Sequence, residues 1–108
     1  MPVLTEADTG KTVDLTVGQS IEIRLPENAT TGYRWSVKAI DTSVCEIVAD
    51  ERLAPGKIIP GAPGEHRWRL RATHAGACML QLVYGRSWQS DASPARTFKV
   101  RLHVAVKD

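Results

Sequence analysis

A chain of 108 residues, 43% hydrophobic and 24% charged, has room for one core and one domain spanning residues 1–108. Fourteen Lys and Arg against twelve Asp and Glu leave a formal charge of +2, too small a surplus to point to nucleic acid. No stretch reaches the run of about 18 apolar residues that a membrane span needs, and "MPVLTEADTG" lacks the basic start and apolar segment of a signal peptide. The expected setting is therefore the cytoplasm, or a periplasmic or secreted compartment reached by a processed form.

In chain order, "TVDLTV" (12–17) reads as a short strand, and Gly18-Gln19 as the turn after it. "SIEIRL" (20–25) alternates cleanly, with Ile21, Ile23 and Leu25 on one face and Glu22 and Arg24 on the other. Pro26 is expected to end this strand, because it offers no N–H to a ladder. After "ENATTG", the run "YRWSVKAI" (33–40) places Tyr33, Trp35, Val37 and Ala39 on one side. "VCEIVA" (44–49) is a fourth strand, and "DERLAPGK" (50–57) could hold one helical turn stopped by Pro55-Gly56.

"HRWRLRA" (66–72) turns Trp68 and Leu70 inward and Arg67, Arg69 and Arg71 outward. "ACMLQLVY" (77–84) follows. "TFKVRLHVAV" (97–106) directs Phe98, Val100, Leu102, Val104 and Val106 inward, with Lys99, Arg101 and His103 outward. No window carries a sustained helical period. Seven short strands separated by turn signals imply an all-β chain folded as a β-sandwich, with a small barrel such as an OB-fold as the alternative.

Reactive residues are sparse. His66 begins a strand, His74 lies in a turn and His103 points outward. No pair has metal-ligand spacing and no cysteine cluster exists, so neither a metal, a cofactor nor an enzymatic activity is expected. Cys45 and Cys78 both fall in strands and read as two buried thiols, with a disulfide between them as the other possibility.

Without a reactive constellation, the loops hold the interest, since a rigid sandwich can present loops to a partner. "ENATTGY" separates the second and third strands. "IPGAPGEH" precedes the fifth, and its glycines and prolines favour main-chain contact. "YGRSWQSDASP" places Trp88 among polar residues, either as a plug on the domain's own edge or as an anchor for a partner. Asn28-Ala29-Thr30 also forms an N-glycosylation sequon, although the expected role of Asn28 is to cap its turn.

Three motifs in this order resemble those of the chagasin-type inhibitors of papain-like cysteine proteases. The first is Asn28, Ala29, Thr30, Thr31, Gly32 and Tyr33. The second is Gly61, Ala62, Pro63 and Gly64, extending to Glu65 and His66. The third is Arg86, Ser87 and Trp88, preceded by Tyr84. The resemblance runs from about Thr9 to Val106 and implies an immunoglobulin-like β-sandwich with three inhibitory loops at one end.

It further implies a reversible, non-covalent inhibitor that occludes the protease cleft. Asn28 to Gly32, Gly61 to Gly64 and Arg86 to Trp88 would touch the protease. Thr30, Thr31 and Gly32 would cover the catalytic cysteine. A monomer without nucleic-acid or membrane partners is expected. The family's prolines are replaced here by Ala29 and Ser87, which frees the unbound loops. A non-inhibitory sandwich used for binding or adhesion is the alternative function.

Overall fold

The computed structural model describes residues 2–27, 33–53, 64–86 and 96–107, and of Arg86 the backbone alone. The strands among them are β1 (Val3–Leu4), β2 (Thr12–Thr16), β3 (Ser20–Glu27), β4 (Tyr33–Ala39), β5 (Cys45–Leu53), β6 (Gly64–Ala72), β7 (Gly76–Arg86) and β8 (Arg96–Ala105). They form two four-stranded sheets, ordered β1-β3-β6-β5 and β2-β8-β7-β4. Two open sheets face to face make an immunoglobulin-like sandwich and set aside the closed barrel.

The alternating residues supply the core between the sheets. Ile21, Ile23, Leu25, Trp68 and Leu70 come from the first sheet. Trp35, Leu80, Leu82, Phe98, Val100 and Leu102 come from the second. Each such side chain stabilises the fold by about 1.5–3 kcal/mol through its removal from water. Arg69, Arg71, Lys99, Arg101 and His103 lie exposed, as the alternation requires.

The chain enters through the first sheet and moves at once to the second. β1 pairs in parallel with β3, and β2 in parallel with β8. A single 3-10 turn, Glu6–Asp8, makes the crossing. The Thr5 N–H donates to Asp8 Oδ2 at 2.8 Å, and Lys11 Nζ donates to Asp8 Oδ1 at 2.8 Å. Lys11 first, then Thr5, holds the Asp8 carboxyl below its ordinary value. At the β2–β3 turn Gly18 has φ 95°, a conformation that side-chain-bearing residues rarely adopt.

Four expectations are corrected. β3 continues through Pro26 to Glu27, pairing Pro26 with Glu65. β1 reaches only Glu22 and Ile23, so one edge of β3 is open at Pro26 and the missing N–H is tolerated there. Ala39 is exposed rather than inward, because the register slips between Val37 and Ala39. Residues 50–53 are strand and not a helical turn, with Asp50 opposite Trp68 and Arg52 opposite His66. Val106 lies beyond the end of β8 and is 69% exposed. The short β1 had no signal in the alternation, being two residues long.

Cys45 and Cys78 are free, buried thiols with their sulfurs 3.7 Å apart, one from each sheet. Burial first, then the neighbouring Cys78, pushes the Cys45 thiol up from 9.0 to about 12. It is therefore neutral at physiological pH and has no thiolate to act as a nucleophile.

Candidate functional site

Strand register brings one set of strand ends together. β3 and β6 run antiparallel, so Glu27 at the end of β3 lies opposite Gly64 at the start of β6. Leu53 at the end of β5 lies opposite Glu65. In the second sheet Tyr33 at the start of β4 faces Arg86 at the end of β7, and Arg96 at the start of β8 faces Tyr84. Segments 28–32, 54–63 and 87–95 therefore all leave from and return to the same end of the sandwich. The first crosses between the sheets, and each of the other two joins neighbours within one sheet.

Asn28, Ala29, Thr30, Thr31, Gly32, Gly61, Ala62, Pro63, Ser87 and Trp88 lie outside the described residues. Of the expected contact residues, Gly64 opens β6 and Arg86 closes β7. Gly64 is wedged between neighbouring strands. A Cβ there would sit 2.3 Å from the Leu53 carbonyl oxygen and 3.4 Å from that of Glu27. Only glycine lets the three backbones approach this closely.

Rings support this end in the second sheet. Tyr33 and Tyr84 stack with centroids 5.4 Å apart, and the Trp35 ring lies 5.0 Å from that of Tyr84. The Arg96 guanidinium sits 6.0 Å from the Tyr84 centroid and reaches Glu6 at 3.1 Å. Trp35 is 2% exposed, and its Nε1–H donates to the Pro26 carbonyl at 2.8 Å. That bond ties the base of the second sheet to the last turn of chain in β3. The expectation that Trp35 belongs to the core is met, while Tyr33 is only half-buried.

The first sheet has an ionic support instead. His66 is 2% exposed and stacks on Trp68, with centroids 3.7 Å apart and planes 16° off parallel. Its Nδ1 lies 2.7 Å from Glu27 Oε2, and its Nε2 contacts Asp50 Oδ1. Arg52 Nε stands 3.6 Å from Glu27 Oε1. Glu27 and Asp50 carried no signal in the sequence. His66 did: the alternation that turned Trp68 and Leu70 inward places His66 on the same face.

Chemically, this end offers shape and fixed polar groups. The two thiols lie toward the other end, Cys45 at the start of β5 and Cys78 near the start of β7. Among the described residues no group of His, Cys, Asp and Glu could hold a metal ion.

A family model described as the chagasin family of peptidase inhibitors, I42, matches residues 14–102. Amoebiasin-1 of Entamoeba histolytica is 36% identical over 103 residues, covering 94% of this chain and 97% of its own. The crystal structure of the cysteine protease inhibitor EhICP2 from Entamoeba histolytica superposes with a TM-score of 0.88 at 23% identity, over 96% of this chain and 95% of its own. PbICP-C, solved in complex with falcipain-2, gives a TM-score of 0.67 at 17% identity, over 99% of this chain and 100% of its own. At 23% and 17% identity these two structures speak for the fold.

Proposed function

The chain belongs to the chagasin family of peptidase inhibitors, and from that premise we propose that it is a reversible, non-covalent, cleft-occluding inhibitor of papain-like cysteine proteases. Members of this family inhibit peptidases and are not themselves enzymes. The observation that carries the finer reading is the convergence of Glu27, Tyr33, Leu53, Gly64, Arg86 and Arg96 at one end of the sandwich. Three segments that leave from one end can meet one partner together. PbICP-C, which shares the fold, was solved bound to falcipain-2, and the partner proposed here is of that kind.

In this reading residues 28–32 enter the cleft at its centre. Thr30, Thr31 and Gly32 cover the catalytic cysteine without aligning a cleavable carbonyl. Residues 61–64 run along the substrate side and contribute mainly main chain. Trp88 stacks on an aromatic wall on the leaving-group side, and Arg86 supports it through charged hydrogen bonds. Rigid supports under both sheets lower the ordering cost at contact, which is how preformed loops gain affinity. Interfaces of this type bury about 1,600 Å² in total.

Titration of papain with the purified protein, read with a fluorogenic peptide, tests the proposal. Inhibition that reverses on dilution, with a serine protease unaffected, is the expected result. Trp88→Ala is expected to raise the inhibition constant at least about tenfold while the fold stays intact. No inhibition of papain at micromolar protein would overturn the reading, and an unchanged constant for Trp88→Ala would reduce that residue to a plug on its own domain.

A further inference from the structure

Glu27, His66 and Asp50 stand at the proposed binding end without belonging to any of the three segments. Glu27 is the last residue of β3, directly before segment 28–32. Asp50 lies on β5, whose last residue, Leu53, opens segment 54–63. His66 lies on β6, two residues after its first, Gly64, which closes that segment. The side chains of Glu27 and His66 are 4% and 3% exposed, while that of Asp50 is 55% exposed.

Hydrogen-bonding capacity restricts what this cluster can be. Each ring nitrogen of His66 faces a carboxylate oxygen. An ionised carboxylate only accepts, so a ring nitrogen that carries a proton donates to the carboxylate it faces. The His66 ring thus links β3 and β5 across β6. Among the described residues Glu27 Oε1 is buried and accepts no hydrogen bond, with Arg52 Nε at 3.6 Å its attending charge.

Buried charge is expensive, and the other inward positions of β3 and β6 carry Ile21, Ile23, Leu25, Trp68 and Leu70. An apolar residue would fill the same space at less cost. A hydrogen-bonded bridge differs in being directional, because it fixes a distance where apolar contacts allow sliding. We propose that Glu27, His66 and Asp50 are positioning residues, which hold the ends of β3, β5 and β6 at one spacing and thereby set the affinity of the first and second segments for the protease. The proposal rests on the inhibitory reading given above.

The test compares wild type, Glu27→Ala, Asp50→Ala and Asp50→Asn as full chains, using papain inhibition, thermal melting and amide exchange. Asp50 is largely exposed, so its variants are expected to fold even if Glu27→Ala does not. The asparagine amide can accept from or donate to Nε2 and serves as the rescue. Asp50→Ala should raise the inhibition constant about tenfold through lost preorganisation, and Asp50→Asn should return most of it, with melting nearly unchanged. An inhibition constant for Asp50→Ala equal to that of wild type overturns the proposal, whatever happens to melting.

Amide exchange distinguishes failure of the bridge from failure of the inhibitory function. If wild type fails to inhibit papain, the inhibitory function falls, but exchange in the free protein still reports on the bridge. Asp50→Ala should then speed exchange at Gly64 and Glu65 about tenfold and leave Cys78 unchanged, as a local opening would. Equal exchange at Gly64 and Glu65 in the two proteins rejects the bridge as a positioning device.

Discussion

Trp35→Ala is expected to destabilise the protein by about 3–5 kcal/mol, the cost of emptying a large buried aromatic site. Trp35 is 2% exposed and packs within the core beside Tyr84. Its indole N–H also crosses to the Pro26 carbonyl at 2.8 Å. Two effects therefore add: a cavity between the sheets and the loss of a tie at the end where segments 28–32, 54–63 and 87–95 begin and return. Trp35→Phe separates them, since phenylalanine restores most of the volume but not the donor. It should lose a smaller amount, including about 0.5–1.5 kcal/mol for the hydrogen bond. Denaturant unfolding measures both. A loss below about 1 kcal/mol for the alanine variant would mean that the site collapses and that the tie is dispensable.

Gly64→Ala should cost about 1–3 kcal/mol, as overpacking does where backbone has to yield. The new Cβ would stand 2.3 Å from the Leu53 carbonyl oxygen, and no flexible side chain can give way there. Relief requires the ends of β5 and β6 to separate. Those are the two ends of segment 54–63, so the same strain should raise the inhibition constant. The variant thus divides two roles for Gly64. If Gly64 serves only as a protease contact, affinity falls while denaturant unfolding matches wild type. If it is needed for close backbone approach, both change together.

Most of the architecture was legible from local pattern. Period-two alternation identified the core faces of β3, β6 and β8, because side chains on a strand alternate and one face of each sheet is buried. The motif order pointed to the family now established for residues 14–102. Errors fell where pattern is weak. Ala39 continues the alternation of β4, yet a register slip turns it outward. Asp50 and Arg52 read as part of a possible helical turn, and they are inward-side positions of an edge strand, made tolerable by His66 and Glu27. Pro26 looked like a stop and is a paired strand residue at an open edge.

Composition, alternation and turn residues were enough to determine an all-β chain with two-faced strands, since those signals arise from neighbours a few residues apart. They also marked the three segments proposed to meet a partner. The tertiary structure alone decided that six strand ends converge, that Gly64 is pinched between two carbonyls, and that His66 joins Glu27 to Asp50. Glu27 and His66 are 39 positions apart, and Asp50 and His66 are 16 apart. Their meeting is set by strand order and register, which depend on how whole sheets pair and pack, and no local period encodes that.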